Sequence, residues 1–363
     1  MNKILIFTES LGVDGPERVI ANLANNWSSN SFEIHIYLTR FNPKRATFPI
    51  NSTVKVTILN QKKGRFLKLS RVKEILLIRR VLSENIGSPC VSFMNSTSFS
   101  LSIASLFKKN KIILSERNDP NSVPFTSFQR KMRNLAFHLA DACVFQTEDA
   151  KNYFNEEIKK KSAIILNPVS PDLPKPYSGE REKKIVAVGR LSPQKNFPML
   201  IKAFCLLHKV FPEYSLVIYG EGQDRDILQK IVDDFNLKDS VFMPGFSKNV
   251  YRDILKASLF VSSSNYEGIS NSMIEAMCLG LPVVCTDCPS GGAKMLIKDG
   301  VNGFLVPVNN EKELFERIKK VIENPSSFKQ LTFEATALRN TLSIETIAKK
   351  WLDIIFDNSN FSD

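Results

Sequence analysis

The segment Leu259-Phe-Val-Ser262 leads into Glu267-Gly-Ile-Ser-Asn-Ser-Met-Ile-Glu275, and Ala276-Met-Cys-Leu279 follows. The first run predicts a buried strand and the last predicts a helix, so two carboxylates eight residues apart lie across a strand-to-helix turn. If the helix begins near Ser270 to Ser272, its unpaired N–H groups form an anion site beside those carboxylates. The alternative is that Ser272 and Glu275 form a capping box and that Glu267 is a loop carboxylate.

Outward from this turn, the second half of the chain alternates strands with helices. Each predicted strand ends at a glycine, which is where an open α/β sheet binds ligands. The strands are expected at 184–188, 215–219 and 240–243, with helices at 197–208 and from a cap near Asp224. Residues 166–176 hold four prolines, a density that helices and central strands do not tolerate, so they predict an interdomain linker.

The first half shows the same alternation, which predicts the α/β class with parallel, doubly wound sheets. A strand at 3–8 and a helix at 16–26 flank a glycine-containing loop, and further strands are expected at 33–38, 54–59, 89–93, 111–115 and 142–146. The 363 residues exceed one ordinary core. We expect a domain at 1–168, a linker at 169–182, a second domain at 183–342, and a helix within 343–363 that packs back on the first domain.

The composition is that of a soluble globular protein, with 43% hydrophobic and 24% charged residues. No apolar run approaches the roughly 18 to 20 residues that span a bilayer, and the opening run Ile4–Phe7 is too short for a signal core. We therefore expect a cytoplasmic protein. Of six cysteines only Cys285 and Cys288 form a C-x-x-C pair, and no second Cys/His pair completes a zinc site. We expect no metal site and buried, reduced thiols.

The net charge of +12 lies entirely in the first half. Residues 1–170 hold 25 Lys and Arg against 13 Asp and Glu, whereas residues 171–363 hold 24 of each. A basic half beside a neutral half indicates that the first half meets a polyanion or an anionic membrane. Nucleic acid is the competing partner, but the basic residues alternate with Leu and Ile and no groove-reading module is present, so we expect no nucleic-acid binding.

The most basic segment, residues 62–80, contains eight Lys and Arg and a single acid. Its apolar residues are Phe66, Leu69, Val72, Leu76 and Leu77. The pattern predicts an interfacial amphipathic helix whose basic side chains reach lipid phosphates. An ordinary surface helix with its apolar stripe on the core is the alternative.

Several motifs of the second half together resemble glycosyltransferase family 4, the retaining, nucleotide-sugar-dependent enzymes of the GT-B fold. Gly189-Arg190-Leu followed by Lys195-Asn196 is similar to the family's diphosphate clamp, and Glu267 with Glu275 matches its E-x7-E spacing. The resemblance implies two Rossmann-like domains facing across a cleft. It also implies that the donor binds the C-terminal domain and that the acceptor enters from the N-terminal side.

The resemblance assigns roles to individual residues. Glu267 is expected to bind the donor sugar, Glu275 the ribose, and the cations Arg190 and Lys195 the leaving diphosphate, whose charge they neutralise without a metal. Glu116 joins Glu267, Arg190 and Lys195 as a catalytic candidate. The expected donor-binding residues are Gly15, Gly189, Arg190, Lys195, Gly220, Pro244, Gly245, Phe246, Glu267, Gly268, Ile269, Ser270, Asn271, Ser272 and Glu275.

The first half departs from the family pattern in two places. Asp14-Gly15-Pro16-Glu17-Arg18 stands where relatives often carry a Gly-Gly-Ala-Glu-Arg loop. Arg117, in the strand-end segment 114–119, stands where many relatives present a histidine, and an arginine cannot act as a base. The proton acceptor is then Glu116, Asp119 or the donor phosphate. The expected acceptor-binding residues are Arg18, Glu116, Arg117 and Asn118.

By this resemblance the chain is expected to be a retaining, metal-independent glycosyltransferase. It would move a hexose or N-acetylhexosamine from a UDP-sugar to a polyprenyl-diphosphate-linked glycan, such as an O-antigen, capsule or glycoprotein precursor. No cofactor is expected beyond the donor, and the enzyme would lie peripherally on the inner face of the cell membrane through residues 62–80. The alternative is a GT-B protein with a sugar-nucleotide epimerase activity or a non-catalytic donor-binding role.

Overall fold

The computed structural model describes residues 2–12, 15–40, 48–62, 65–66, 70–93, 95–325 and 336–356. The chain divides into two compact units. The first unit comprises Met1–Pro168 with Ser343–Asp363, and the second comprises Val169–Leu342.

Within the described ranges, the first unit holds a parallel sheet of seven strands in the order β3-β2-β1-β6-β7-β8-β9. Its strands, with the short hairpin β4–β5, are β1 (Lys3–Thr8), β2 (Glu33–Leu38), β3 (Lys55–Ile58), β4 (Gln61–Lys62), β5 (Arg65–Phe66), β6 (Cys90–Ser92), β7 (Ile112–Ser115), β8 (Ala142–Phe145) and β9 (Ser162–Ile164). Its helices are α1 (Gly15–Ser29), α2 (Arg71–Glu84), α3 (Asn95–Ala104), α4 (Ser127–Leu139), α5 (Glu148–Asn152) and α6 (Glu156–Lys160).

The second unit, over the residues described, holds a parallel sheet of six strands in the order β12-β11-β10-β13-β14-β15. These strands are β10 (Glu182–Val188), β11 (Ser215–Tyr219), β12 (Val241–Gly245), β13 (Ala257–Ser262), β14 (Val283–Thr286) and β15 (Phe304–Val306). The helices are α7 (Phe197–His208), α8 (Arg225–Asp234), α9 (Val250–Ile254), α10 (Asn271–Cys278), α11 (Gly292–Leu296), α12 (Glu311–Glu323) and α13 (Leu338–Thr341). The final helix of the chain, α14 (Ile344–Phe356), belongs to the first unit.

Both sheets have the strand order of a Rossmann-like fold, so the predicted fold class is confirmed. In each unit the first strand lies between the second and the fourth main strand, and the strand order reverses there. The connecting loops leave such a reversal in opposite directions and open a crevice at the carboxyl ends of the strands. In the second unit this reversal lies between β10 and β13, the two strands that carry the predicted Gly189 and Glu267 loops.

The central strands are buried because helices cover both faces of each sheet. In β1 every residue from Ile4 to Thr8 is buried, and in β14 all four residues are buried. Strands buried on both faces read as continuous apolar runs rather than as alternating ones. This is why the short apolar runs in the sequence located the strands well.

The prediction of one helix over 62–80 is wrong. Gln61 pairs with Phe66 and Lys62 with Arg65 in the β4–β5 hairpin, and α2 begins only at Arg71. The helix starts there because the Ser70 side chain accepts a hydrogen bond from the backbone N–H of Lys73. Residues 63–64 and 67–69 lie outside the described residues, as do residues 13–14 of the opening glycine loop.

Two of the predicted apolar residues, Val72 and Leu76, do lie on the outer surface of α2, with 66% and 60% of their area exposed. The buried side of α2 instead carries Glu74, Ile78, Val81 and Leu82. In the part of the chain that the structure describes, no helix is both long and apolar enough to cross a membrane.

Helix α14 packs on α1 of the first unit, as the sequence predicted. The Trp27 indole N–H donates to the carbonyl of Ala348 at 3.2 Å, and the Trp351 ring lies 5.0 Å from the ring of Phe93. Trp351 is fully buried. The chain therefore returns to its first unit through one large aromatic anchor.

We predict that Trp351→Ala destabilises the first unit by about 3 to 5 kcal/mol, because it leaves a large cavity at this anchor. Urea unfolding followed by the emission of Trp27 measures the loss, since Trp27 is then the sole tryptophan. Asp353→Ala, an exposed change on the same helix, is the matched control. An unchanged midpoint in Trp351→Ala would show that α14 does not stabilise this unit.

Candidate functional site

The loops that follow β10 and β13 are fastened to each other along their length. The backbone N–H of Asn265 donates to the carbonyl of Gln194 at 2.8 Å, and the Asn265 side chain donates to the carbonyl of Pro193 at 2.9 Å. The Ser263 hydroxyl donates to the Lys195 carbonyl at 2.8 Å, and the Asn196 amide donates to Asn265 Oδ1 at 2.8 Å. These bonds fix the predicted diphosphate clamp against the predicted sugar-binding loop.

Lys195 and Glu267 form an ion pair at the centre of this junction, with Lys195 Nζ on Glu267 Oε2. Both side chains are largely buried, at 16% and 19% exposure, so the pair is less screened by solvent than a surface pair. The Ser264 hydroxyl donates to the same carboxylate at 3.3 Å, and the Gln194 amide lies 3.5 Å from its other oxygen. The carboxylate is therefore held in one orientation.

The loop at Glu267 is also fixed from the opposite side, by the segment before α11. The N–H of Glu267 donates to the Pro289 carbonyl at 2.6 Å, and the N–H of Ser290 donates back to the Glu267 carbonyl at 2.9 Å. Gly292 is required for this approach, since a Cβ at that position would lie 1.7 Å from the Gly268 carbonyl oxygen.

Helix α10 begins at the predicted place but with a different cap. Ser270, and not Ser272, is the N-cap, because its hydroxyl accepts from the N–H of Met273 at 3.4 Å. The capping box of Ser272 with Glu275 is therefore wrong. The Ser272 hydroxyl instead donates to the Val188 carbonyl at 3.1 Å, which ties the start of α10 to the end of β10.

Glu275 lies one turn into α10 and is buried, with 4% exposure. The Tyr251 hydroxyl donates to Glu275 Oε1 at 3.0 Å and orients it. Tyr251, which sequence reasoning missed, comes from α9 and carries no motif that would have identified it.

Three predicted glycines lie in a row at the carboxyl ends of neighbouring strands. The N–H of Gly189 donates to the Tyr219 carbonyl, and that of Gly220 donates to the Gly245 carbonyl, each at 2.9 Å. A Cβ on Gly220 would come within 1.9 Å of the Gly189 carbonyl oxygen, so only glycine allows this approach. Phe246 follows the row and is 58% exposed, and Arg190, in the predicted diphosphate clamp, is also exposed.

The two cysteines of the C-x-x-C pair, Cys285 and Cys288, are buried thiols. Burial, with a contribution from Glu267, raises the pKa of Cys288 to about 12, so it stays protonated at neutral pH. The sequence does contain one Asp-x-Asp, Asp224-Arg-Asp226, at the start of α8, and Asp226 is exposed there. Among the described residues, no three His, Cys, Asp or Glu side chains are grouped to hold a metal ion.

The first unit contains a cavity of about 410 Å³ at the carboxyl ends of its strands. One part of its wall is charged or polar and the other is apolar. Its lining comprises Glu9, Pro16, Arg40, Arg71, Phe93, Asn95, Ser96, Phe99, Glu116, Arg117, Asn118, Val123, Pro124, Gln129, Met132 and Arg133. Three of the four predicted acceptor-binding residues therefore line one cavity.

The fourth, Arg18, lies half-buried in the first turn of α1 and is not in the cavity wall. Gly15, predicted to approach the donor, is the exposed first residue of the same helix. Glu17, two residues after Gly15, is buried and accepts a hydrogen bond from the Ser10 hydroxyl.

Glu116 is a buried carboxylate in the cavity wall, with 2% exposure. Its Oε1 accepts from the N–H groups of Arg117 at 3.0 Å and Asn118 at 3.2 Å, and its Oε2 lies 3.5 Å from Arg133 Nη1. Burial raises the pKa of Glu116 to about 7, and Arg133 and the two N–H groups oppose this only in part. Glu116 can therefore gain or lose a proton near neutral pH.

Arg117 and Arg133 hold this wall in place. Arg117 donates to Ser115 Oγ and Asn167 Oδ1 and stacks 4.9 Å over the ring of Phe93. Burial lowers the pKa of Arg117 to about 9, so it remains a cation at neutral pH. Arg133, which the sequence did not single out, donates to the carbonyls of Pro120 and Val123 at 2.8 Å each.

Asp119, the other predicted carboxylate, is committed to a turn. Its side chain accepts from the N–H of Asn121 at 3.3 Å and from the N–H of Ser122 at 3.0 Å. It is not among the cavity-lining residues. Of the two carboxylates proposed as proton acceptors, only Glu116 faces the cavity.

Comparison with known proteins identifies the family of this chain. Residues 171–337 match the family described as Glycosyl transferases group 1. A Campylobacter jejuni enzyme, N-acetylgalactosamine-N,N'-diacetylbacillosaminyl-diphospho-undecaprenol 4-alpha-N-acetylgalactosaminyltransferase, is 30% identical over 89% of this chain and 91% of its own length. The chain belongs to the group 1 glycosyltransferase family.

A second relative of this glycosyltransferase, also from Campylobacter jejuni, is 29% identical over 99% of the chain and 100% of its own length. It is named GalNAc-alpha-(1->4)-GalNAc-alpha-(1->3)-diNAcBac-PP-undecaprenol alpha-1,4-N-acetyl-D-galactosaminyltransferase. The crystal structure of Anabaena HepE in complex with UDP and glucose matches with a TM-score of 0.81 and 18% identity, covering 98% of this chain and 100% of HepE. The likeness to HepE shows that the glycosyltransferase has the GT-B fold.

We predict that the first unit of this glycosyltransferase loses stability as pH rises. The folded pKa of Glu116 is about 7 against an ordinary value of 4.5, so the folded state binds the proton more tightly. The resulting stabilisation is present below about pH 4.5 and is lost as pH rises through about 7, on the order of 3 kcal/mol. Urea unfolding at pH 5 and pH 8, followed by the emission of Trp27 and Trp351, measures it.

Glu116→Gln removes the titrating group, so its stability should change less between these two pH values. Glu84→Gln, with an exposed side chain on α2, should keep the wild-type difference. The attribution to Glu116 is refuted if its Gln variant and the wild type show the same pH dependence.

Proposed function

We propose that this glycosyltransferase moves a hexose or N-acetylhexosamine from a UDP-sugar to a polyprenyl-diphosphate-linked glycan, with retention at the anomeric carbon. The observation that carries the proposal is the Lys195–Glu267 pair beside the N-terminus of α10, at the strand-order reversal of the second unit. That place joins a cation for phosphate, a carboxylate for sugar hydroxyls and the N-terminus of a helix, where phosphates commonly bind.

The geometry supports a division of roles among the donor residues. Lys195 and Arg190 neutralise the charge that develops on the leaving diphosphate, and the first N–H groups of α10 bind its oxygens. Glu267, already oriented by Ser264 and Gln194, binds the donor sugar. Glu275, oriented by the Tyr251 hydroxyl, binds the ribose. These two cations neutralise the negative charge of the diphosphate, which a divalent metal would otherwise do. We therefore propose a metal-independent reaction without a further cofactor.

The cavity of the first unit supports an acceptor site. Arg117 and Glu116 place a cation and a titratable carboxylate in one wall, while Phe99, Val123 and Met132 supply apolar surface. An amphiphilic wall suits a glycan linked to lipid through a diphosphate, and the two Campylobacter relatives are named for undecaprenol-linked acceptors. We propose that the departing donor phosphate accepts the acceptor proton in a front-face attack and that Glu116 assists from the cavity wall.

The decisive experiment measures UDP release from a panel of UDP-sugars, with and without a polyprenyl-diphosphate-linked glycan. Release that depends on the acceptor, with an α-linked product from an α-linked donor, is the expected result. Release without the acceptor and a changed donor sugar would favour an epimerase. Absence of UDP release with every donor would overturn the proposal.

We predict that Lys195→Ala lowers kcat/KM for the donor by about 10² to 10³, because it removes one positioned charge from the leaving diphosphate. Lys202→Ala, an exposed lysine on α7, should stay close to wild type. UDP release at subsaturating donor measures both variants. A Lys195→Ala rate within about threefold of wild type would exclude Lys195 from the reaction.

We also propose that the basic surface of α2 holds the enzyme on the inner face of the membrane. Lys73 and Arg80 are exposed on this helix together with Val72 and Leu76. Basic residues near an anionic surface contribute about 1 kcal/mol each. The attraction should weaken as salt rises, because exposed charges are screened.

We predict that Lys73→Glu with Arg80→Glu lowers partition onto phosphatidylglycerol vesicles at least thirtyfold, the equivalent of about 2 kcal/mol. Lys209→Glu with Lys230→Glu makes the same charge change on exposed residues of the second unit and is the control. Vesicle sedimentation measures both pairs. Equal losses in the two double variants would show that net charge, and not α2, governs binding.

A further inference from the structure

Two phenylalanines before and at the start of α4 are unusually exposed. Phe125 has 75% and Phe128 has 71% of its area accessible to solvent. A single exposed apolar residue is ordinary, but two aromatic rings three residues apart form a local apolar surface. We call this pair the aromatic rim.

The aromatic rim is held outward by a rigid frame. The Arg130 guanidinium donates to the carbonyls of Pro124 at 2.9 Å and Phe125 at 3.1 Å. The Thr126 hydroxyl caps α4 by accepting from the N–H of Gln129 at 3.2 Å. These bonds fix the backbone that carries the two rings.

The aromatic rim adjoins the cavity of the first unit. Val123 and Pro124, just before Phe125, line that cavity, and so do Gln129 and Met132, just after Phe128. Arg71, the first residue of α2, lines the same cavity, and the exposed Val72 follows it. Exposed apolar residues therefore border the cavity on both α2 and α4.

The net charge of the chain around the aromatic rim indicates which kind of partner binds there. Residues 55–133 hold 16 Lys and Arg against 4 Asp and Glu, an excess equal to the +12 of the whole chain. Helix α4 contributes Arg130 and Lys131 and contains no acidic residue. An anionic bilayer matches both features, since its phosphates attract the cations and its acyl boundary accepts the rings. Nucleic acid would match the charge and could stack on the rings, but it offers nothing to the exposed aliphatic Val72, Leu76 and Leu135.

We propose that Phe125 and Phe128 insert into the headgroup–acyl boundary of an anionic membrane and hold the mouth of the cavity at the bilayer surface. This insertion is separate from the electrostatic attraction of α2, which brings the protein to the surface but does not fix its depth. Insertion would let a lipid-linked acceptor reach the cavity without leaving the bilayer, and this consequence rests on the proposed function. The insertion of the two rings does not depend on the proposed function.

Phe128→Trp tests the insertion directly, because both native tryptophans, Trp27 and Trp351, are buried and give a constant background. With vesicles of phosphatidylglycerol and phosphatidylcholine, emission from Trp at this position should shift to the blue and be quenched by brominated lipid. Phe235→Trp, at the end of α8 in the second unit and 40% exposed in the native chain, is the matched control and should show neither change.

The double variant Phe125→Ser with Phe128→Ser should bind the same vesicles at least tenfold more weakly while its urea midpoint stays unchanged, since both rings are exposed. The proposal is overturned if the Trp variant binds vesicles without a spectral change, if wild type and double variant bind equally, or if neither binds. It is also overturned if the wild-type protein binds duplex DNA as tightly as it binds the vesicles and the double variant Phe125→Ser with Phe128→Ser loses the DNA binding. These measurements use neither donor nor acceptor, so a failure of the proposed function would leave them intact.

Discussion

The ion pair between Lys195 and Glu267 joins two loops at the single place where the strand order of the second unit reverses. The residues are 72 positions apart in the chain, and nothing local brings them together. The bonds from Asn265, Ser263 and Asn196 hold the two loops together around the ion pair. Removing Lys195 would leave Glu267 largely buried without its cation, which costs far more than a surface pair contributes.

The same junction explains why glycines cluster there. Loops from four neighbouring elements converge on the strand ends, and each must approach another backbone closely. Gly292 meets the Gly268 carbonyl and Gly220 meets the Gly189 carbonyl at distances that a Cβ would not allow. The glycines at these positions are therefore required by the close packing of the loops.

The first unit holds charged side chains in the buried wall of its cavity. Arg133 is buried to 1% exposure, yet every part of its guanidinium meets a carbonyl, an amide oxygen or an aromatic ring. It therefore organises the turn at 120–123 more than it neutralises Glu116, whose nearest oxygen lies 3.5 Å away. The incomplete pairing leaves the pKa of Glu116 raised to about 7, and the cavity thus keeps a titratable group.

The two Rossmann-like units, the return of the final helix and the strand-to-helix turn from Glu267 to Glu275 could be predicted from the sequence, because they depend on local apolar spacing and on glycines at strand ends. The sequence also placed Glu116, Arg117 and Asn118 together, since adjacent residues on one strand end remain adjacent in the fold. It failed at the 62–80 segment, where the Ser70 cap and the β4–β5 pairing divide a continuous basic pattern. Four features became visible only in the folded chain: Tyr251 orients Glu275, Arg133 contacts Glu116, Arg18 is absent from the cavity wall, and Phe125 and Phe128 border the cavity. Each of these depends on side chains from separate elements, and local spacing carries no information about which distant element will pack beside them.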